Sequence, residues 1–275
     1  MNQIRIFRVF LAVIFFVATL AYLIIGPQVN PMAAVSEKSQ ILLSAGTTAI
    51  GTLLVWLMLT FVFGRIYCST VCPIGTLSDI FIRISRKVPK LNKPFRYTTP
   101  KRWSIHILLV YVICALIGVT AVTYLIEPWN IMRNIISAIN PTAVEATWIN
   151  LGLGLGTAII AGIVSLALIV VCSLFCGRSF CTDICPLGTA MGLLHEHNIY
   201  HIEIDPDRCT ACGICEENCK AGCIKTVSRY VDNSRCVRCF NCLAKCPEDA
   251  IHYQPNRNRP ATPLFRKANR SGSKG

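Results

Sequence analysis

Cys209-Thr-Ala-Cys212-Gly-Ile-Cys215-Glu-Glu-Asn-Cys219 and Cys236-Val-Arg-Cys239-Phe-Asn-Cys242-Leu-Ala-Lys-Cys246 are the stretches that decide the fold. Both have the spacing C-x2-C-x2-C-x3-C, in which three neighbouring thiolates wrap one [4Fe–4S] cubane and the fourth ligates the other cubane. The spacing predicts two interlocked ligand sets: Cys209, Cys212, Cys215 and Cys246 for one cubane, and Cys236, Cys239, Cys242 and Cys219 for the other. Because such clusters exchange one electron at a time, the pattern indicates electron transfer.

A pair of zinc knuckles and a disulfide framework are the competing interpretations of these cysteines. Zinc needs four ligands per site and no interlocked fourth cysteine, so the cubane interpretation is favoured. One departure from the usual pattern is that Lys220, and not a proline, follows the fourth cysteine of the first run. Cys223 is a spare thiol, which we interpret as a packed small side chain, with alternative ligation as the lesser option.

The rest of the chain is too apolar for an ordinary soluble domain. Of its 275 residues, 53% are hydrophobic. Residues 9–25, 41–63, 103–126 and 151–175 contain no Asp, Glu, Lys or Arg, and each is about long enough to cross ~30 Å of hydrocarbon as a helix. We therefore predict an α-helical membrane bundle of four transmembrane helices with a two-fold internal repeat over residues 1–200. A small α+β, bacterial-type two-cluster ferredoxin domain follows at 201–255, and a basic, disordered tail at 256–275.

The distribution of charge predicts the topology of the four spans. The segment 64–102 carries nine basic residues and one acid, Asp79, whereas the segments 26–40 and 127–150 carry one basic residue each. The positive-inside bias places both termini and the clusters in the cytoplasm of a bacterial cell, with a multi-pass chain in the inner membrane. The net charge of +13 is explained in this way and does not indicate nucleic acid. A signal peptide is the alternative for residues 9–25, but no convincing cleavage site closes the stretch, so an anchor is favoured.

A second cysteine pattern recurs where the second and fourth spans end. Gly64-Arg65-Ile-Tyr-Cys68-Ser-Thr-Val-Cys72-Pro-Ile-Gly75-Thr and Gly177-Arg178-Ser-Phe-Cys181-Thr-Asp-Ile-Cys185-Pro-Leu-Gly188-Thr match at an offset of 113 positions. We call them the C-x3-C-P segments. A pseudo-two-fold axis would bring their four cysteines together, as a further iron centre or as redox thiols, and simple packing is the lesser alternative. If the segment is helical, the i, i+4 spacing places both cysteines of a pair on one face, close to an arginine whose charge lowers thiol pKa.

His106 is the only histidine within a predicted span, and it is a candidate contact for a quinone carbonyl. An interfacial hydrogen bond is the plainer interpretation. A membrane b-type haem usually needs two histidines within the bundle, so one is not expected here. No strand-linked G-x-G-x-x-G or P-loop is present, so nicotinamide, flavin and ATP are not expected on this chain.

The order of two C-x3-C-P segments, four spans and a C-terminal two-cluster ferredoxin resembles the NapH branch of the NapH/NosR polyferredoxin family, over nearly the whole chain. By this resemblance the eight cysteines of the two runs are cluster ligands, and Cys68, Cys72, Cys181 and Cys185 are membrane-face cysteines. NosR-type members carry an additional flavin-binding domain, for which this chain has no room, whereas MauN-type members share the short architecture but serve methylamine oxidation.

The resemblance implies the membrane component of a quinol dehydrogenase that sends electrons towards periplasmic nitrate reductase. Quinol would be the substrate, and a NapG-like iron–sulfur subunit, a membrane cytochrome c or a cytoplasmic ferredoxin-type protein would be the redox partner. An electron-donating assembly factor for another metalloenzyme, using the C-x3-C-P cysteines as thiols, is the alternative function. A docking subunit that only recruits an electron carrier is a further one.

Overall fold

The computed structural model describes residues 2–25, 47–90, 95, 97–99, 102–117, 126–137, 154–194 and 198–255. The segment 26–40 and the predicted tail 256–275 lie outside these residues, as do parts of three predicted spans. The described helices before residue 194 are α1 (Asn2–Ile25), α2 (Thr47–Phe63), α3 (Tyr67–Thr70), α4 (Pro73–Lys87), α5 (Trp103–Ile117), α6 (Pro128–Ser137), α7 (Gly154–Phe175) and α8 (Pro186–Leu193). A π-helical turn at Phe180–Ile184 precedes α8.

The apolar helices coincide with the uncharged stretches, because a helix satisfies its backbone polar groups internally. Within the described residues, one helix, Gln3–Ile24, is long and apolar enough to cross a membrane by length and composition. Shorter apolar stretches at Leu54–Phe63, Trp103–Ile117 and Ile159–Phe175 fall inside the other three predicted spans. The four-span bundle and its two-fold repeat stay predictions.

Helix α6 lies inside the segment 127–150, which hydropathy alone assigns to a connecting loop. The helix is buried through Trp129, Met132 and Ile135, a spacing typical of a packed helix face. It packs on α7 so closely that a Cβ at Gly162 would lie 2.0 Å from the carbonyl oxygen of Asn134. Residues 128–137 therefore form a buried helix within the segment that connects two predicted spans.

Short strands and helices of the ferredoxin part begin at Tyr200, beside the boundary predicted at residue 201. They are β1 (Tyr200–Ile204), α9 (Ile214–Glu217), β2 (Ile224–Lys225), β3 (Tyr230–Val231), α10 (Asn241–Lys245) and β4 (Ile251–Pro255). Strands β1 and β4 pair antiparallel with Ile202 opposite Tyr253, and β2 pairs antiparallel with β3. Because these sheets have two strands each, most of the apolar packing in this part surrounds the cysteines.

The ferredoxin part packs directly on the ends of the helices. Arg86 of α4 donates to the carbonyl oxygen of Glu217 at 3.1 Å. The backbone N–H of Arg178 donates to the carbonyl oxygen of Lys220 at 2.9 Å. On the other side, the Tyr253 hydroxyl donates to the carbonyl oxygen of Phe63 at 2.9 Å. The two parts therefore share one interface rather than a flexible linkage.

Candidate iron–sulfur site

Two cavities lie within the ferredoxin part, and each is lined by four of the cysteines in the two runs. The outer cavity has an empty volume of about 330 Å³. Its cysteines are Cys209, Cys212, Cys215 and Cys246. Ile204, Pro247 and Ile251 complete an apolar wall. The four cysteines that the spacing assigns to the first cubane thus line the outer cavity together.

The inner cavity has a similar empty volume of about 330 Å³. Its lining includes Cys219, Cys236, Cys239 and Cys242. Cys219 belongs to the first run by sequence but faces the cavity of the second run, as Cys246 does in the opposite sense. The two runs are therefore interlocked in space.

Backbone conformation explains how each run turns around its cavity. The residue before the second cysteine of each run has a positive φ, 55° at Ala211 and 53° at Arg238. The residue after that cysteine is also left-handed, at Gly213 and at Phe240. Alternation into the left-handed region bends the chain into a concave shape that suits an anion, and a thiolate-ligated cluster is anionic.

The donor set and the empty space together fit a multi-iron cluster. Four thiols surround the outer cavity and five the inner one, and thiolates are the ligands of iron–sulfur clusters. Backbone N–H groups also reach the sulfurs, from Ala250 to Cys246 at 3.3 Å and from Cys223 to Cys219 at 3.4 Å. Within the described residues no three His, Cys, Asp or Glu side chains converge as ligands of a single metal ion do. The thiols around each space of about 330 Å³ therefore fit a cluster in each cavity.

Cys223, the spare thiol of the sequence, also lines the inner cavity. Its sulfur lies 3.4 Å from the sulfur of Cys219. It is thus a neighbour of one expected ligand rather than a remote packed side chain.

The two C-x3-C-P segments have the same local geometry. Cys68 lies in α3 and Cys181 in the π-helical turn, whereas Cys72 and Cys185 are extended, with ψ of 119° at both. Pro73 and Pro186 follow, which disfavours the helical conformation at the preceding cysteine. The segments are therefore not continuous helices, the condition on which a shared helix face depends, and all four cysteines are buried together in one core.

The arginine of each C-x3-C-P segment lies against the other segment. Arg178 donates to the carbonyl oxygens of Cys68 at 2.9 Å and of Gly75 at 3.0 Å. Arg65 in turn lies beside Gly188, where an added Cβ would be 3.3 Å from Arg65 Nη2. The recurrent arginine in the sequence therefore joins the two segments.

Burial raises the pKa of all four C-x3-C-P thiols, to about 12 for Cys181. The charges of Arg65 and Arg178 act in the opposite direction on Cys68 and Cys181 but do not outweigh burial. The arginines thus lower the pKa of Cys68 and Cys181, as expected, but burial has the larger effect on the free thiols. Unligated, they are protonated at neutral pH and poor nucleophiles.

Asp79 binds three buried cations where the helices meet the ferredoxin part, a role that sequence reasoning missed. Its carboxylate lies 2.8 Å from Arg178 and 3.0 Å from Lys220. Arg8 of α1 lies 3.4 Å away. Burial alone would raise the pKa of Asp79, but these cations outweigh it and hold that pKa well below its usual range.

Two signals in the sequence point to this network. Asp79 is the single acid in the basic segment 64–102, and Lys220 stands where a proline is usual. The lysine is explained by its ion pair with Asp79, which ties the first cysteine run to α4.

His106 has an exposed side chain on α5. Among the described residues no hydrogen bond or ion pair to it is present. The structure does not bring His106 into either cysteine cavity, and its contact with quinone stays a prediction.

Comparisons with known proteins agree with this geometry. A family model described as a 4Fe-4S binding domain matches residues 45–92 and 158–199, which begin at the same offset of 113 as the C-x3-C-P segments. A second 4Fe-4S binding domain model matches residues 202–225. No solved structure matches the chain.

Several relatives align over most of the chain. An uncharacterized protein of Methanocaldococcus jannaschii is 25% identical over 92% of this chain and 88% of its own length. The ferredoxin-type protein NapH of Escherichia coli is 25% identical over 82% of this chain and 74% of its own. The methylamine utilization ferredoxin-type protein MauN of Paracoccus denitrificans is 28% identical over 64% of this chain and 55% of its own.

These matches support an iron–sulfur electron-transfer protein of the NapH/MauN ferredoxin type. They do not select one member of that family. The NapH-type identity anticipated from motif order is therefore supported only at the level of the family.

Proposed function

We propose that this chain is a membrane-bound electron carrier that takes electrons from quinol and passes them to a soluble or membrane redox partner. The single observation that carries the proposal is the pair of cavities, each lined by four cysteines, with the inner one set against the helices. Cys209, Cys212, Cys215 and Cys246 would hold one [4Fe–4S] cluster, and Cys236, Cys239, Cys242 and Cys219 the other. Bound there, each cluster supplies the uptake and release of one electron.

The positions of the two cavities suggest a direction of electron transfer through the protein. The inner cavity adjoins the helices, because Arg238 of its cysteine run donates to the carbonyl oxygen of Phe63 at 3.3 Å. The Ser69 hydroxyl of the first C-x3-C-P segment donates to the carbonyl oxygen of Arg238 at 3.5 Å. At the outer cavity, by contrast, Cys212 is exposed. Electrons would therefore enter on the inner side and leave to a partner, such as a NapG-like protein, at the outer side.

Exposed apolar side chains support residence in a membrane. Phe7, Phe10 and Val17 on α1 are each more than half exposed, and no residue of α5 is buried. Such faces are stable against lipid rather than water. Arg8 of α1 also bonds Ser69 at 3.2 Å, which favours retention of this helix over its removal as a signal peptide.

The C-x3-C-P cysteines complete the proposal as ligands of an additional iron centre. Their common burial between two arginines supports it, because cations offset the charge of an anionic cluster. Iron above about eight per chain, which two cubanes account for, is the expected result.

The proposal is tested by mixing the reduced, anaerobically purified protein with a soluble menaquinone analogue in a stopped-flow spectrometer. The quinone takes two electrons from the clusters and two protons from solvent, so the visible absorbance of oxidised clusters should return rapidly. A quinol-site inhibitor should block this return.

Two single-cysteine variants test the order of the cavities. Cys239→Ala, at the inner cavity, should slow the reoxidation of the remaining cluster strongly, whereas Cys212→Ala, at the outer cavity, should leave reoxidation fast. If the quinone does not reoxidise the reduced clusters of the wild type, the result would contradict the proposal and favour the assembly-factor alternative. Equal slowing in both variants would contradict the inward-to-outward order.

A further inference from the structure

The two C-x3-C-P segments differ at one position that matters for charge. At the offset of 113, Asp79 in the first half corresponds to Gly192 in the second half. In the first half, Arg178 pairs with Asp79 at 2.8 Å. In the second half, a Cβ on Gly192 would lie 3.2 Å from Arg65 Nη2. The position that holds a carboxylate beside one arginine thus holds no side chain beside the other.

Arg65 is left with unmet hydrogen-bonding capacity. Its side chain is about as deeply buried as that of Arg178, at 1% exposure, and its Nε and Nη1 atoms have no hydrogen-bond partner. Asp183, on the same segment as the second cysteine pair, lies 3.4 Å from Arg235. A buried guanidinium with unpaired donors is costly, so an anionic partner from outside the chain would stabilise it.

A cavity lies where the carboxylate is missing. Its empty volume is about 290 Å³. Its polar lining is Arg65, Arg235, Thr182, Thr189 and Ser234, with Gly192. Arg235 Nε is also buried without a partner. The three hydroxyls already donate within the chain, to the carbonyl oxygens of Ser179 and Cys185 and to the Asp232 carboxylate. The donors available to the oxygens of an anion are therefore those of the two guanidinium groups.

We propose that this cavity binds a phosphate group, from an anionic phospholipid headgroup or from free phosphate. Three unpartnered nitrogens, Arg65 Nε, Arg65 Nη1 and Arg235 Nε, carry four N–H bonds between them. This number exceeds the two oxygens of a carboxylate and suits a tetrahedral oxyanion. Asp183 offsets part of the charge of Arg235, so Arg65 provides most of the net attraction. Ile105 of α5 and the apolar Leu193 also line the cavity, at an edge where an acyl-linked headgroup could enter. The site does not depend on the quinol proposal, although its Arg65 also lies close to the C-x3-C-P cysteines Cys68 and Cys181.

Direct binding to the cluster-loaded wild-type protein is the first test, and it needs no variant. Radiolabelled inorganic phosphate should bind saturably in detergent and be displaced by sulfate but not by chloride. Native mass spectrometry after exchange into phosphatidylglycerol or phosphatidylcholine should show one retained phosphatidylglycerol if a headgroup is the source. Retention of the lipid without binding of free phosphate would identify the lipid headgroup as the ligand of the cavity. Binding of phosphate alone would identify free phosphate as the ligand. Binding of neither would overturn the proposal.

A matched pair of variants locates the site. Gly192→Asp restores the carboxylate of the first half, and Gly192→Ala adds the same Cβ, which meets the Ser234 carbonyl oxygen at 2.9 Å, without a charge. We expect the affinity for phosphate or phosphatidylglycerol to fall at least about tenfold in Gly192→Asp relative to Gly192→Ala, the size of one charge-assisted contact. Equal affinity in the two variants would overturn the proposal. If neither variant folds, Arg235→Lys, which keeps the positive charge but removes the unpartnered Nε–H, should bind phosphate or phosphatidylglycerol more weakly than the wild type, and unchanged affinity would contradict the site.

Discussion

Asp79 is the residue on which three parts of the molecule converge. Its carboxylate binds Arg8 from α1, Arg178 from the second C-x3-C-P segment and Lys220 from the first cysteine run. A carboxylate in this position neutralises cations that would otherwise be buried without a counter-charge. Its contribution to stability is therefore larger than that of a surface ion pair, which is usually below about 1 kcal/mol.

Asp79→Asn should strongly destabilise the protein, because it keeps the shape of the side chain but removes the charge. Breaking a buried charge pair costs about 3–5 kcal/mol, since the remaining charges stay buried and unpaired. Thermal unfolding in detergent should show a lower midpoint. Asp207→Asn makes the same chemical change at an exposed position and should leave the midpoint unchanged. Equal midpoints for Asp79→Asn and the wild type would contradict the network.

The pH dependence of this effect follows from the lowered pKa of Asp79. A carboxyl group whose pKa is lower in the folded than in the unfolded state stabilises the fold above its unfolded pKa, about 4, and loses that contribution as the pH falls. The difference in free energy of unfolding between the wild type and Asp79→Asn should thus be constant from about pH 5 to 8 and shrink below about pH 4. Denaturant titrations across this range measure it, and a difference that grows on acidification would contradict the assignment.

At the scale of elements, the C-x3-C-P segments depend on two glycines. A Cβ at Gly75 would lie 2.1 Å from the carbonyl oxygen of Cys68, and a Cβ at Gly188 would lie 2.1 Å from that of Cys181. The sequence repeat contains both glycines, and the close backbone approach gives their physical reason.

Gly75→Ala and Gly188→Ala should therefore each displace the cysteine of their segment and lower the stability of the protein. Gly156→Ala is the control, because no atom lies within 4 Å of its added Cβ. That control should be neutral or stabilising by about 0.5–1 kcal/mol, as is usual for alanine in a helix. Melting temperatures and iron content of the three variants test this. Loss of iron or stability in Gly156→Ala alone would contradict it.

Sequence patterns predicted some elements better than others. Cysteine spacing anticipated which four cysteines of the two runs line each ferredoxin cavity, and their role as cluster ligands stays a prediction. Charge-free stretches anticipated the apolar helices. The buried helix α6 was missed because Glu127 and Arg133 break the apolar run. The extended backbone at Cys72 and Cys185 is caused by the prolines that follow them, an effect that the i, i+4 spacing of the cysteines does not reveal.

At the scale of the whole molecule, long-range contacts were the least predictable. The pairing of Lys220 with Asp79 joins residues 141 positions apart, and no local pattern specifies which acid meets which base. The crossing of Arg65 and Arg178 between segments likewise requires the three-dimensional packing. The repeat at an offset of 113 was visible in the sequence, but the charge imbalance at Gly192 became meaningful only beside the buried Arg65.

Removal of iron should unfold the ferredoxin part and spare the helices. The described strands of this part form pairs of at most five residues, and its apolar side chains surround the cavities. Without bound metal such small domains usually lose their fold. Limited proteolysis after chelation under reducing conditions should cut within residues 200–255, while the loaded protein resists. Equal resistance of the two forms would contradict this dependence.

The most direct test of the two interlocked cluster sites is an inventory of iron, acid-labile sulfide and reduced-state EPR signals in cysteine variants. Cys223→Ala should retain the signals of both clusters. Cys219→Ala/Cys223→Ala should lose the roughly four irons of the inner cluster and keep the cluster of the outer cavity, because Cys219 belongs to the inner set. Loss of the outer cluster in the double variant would contradict the ligand sets. So would a loss of about four irons in Cys223→Ala while the double variant keeps its full iron content.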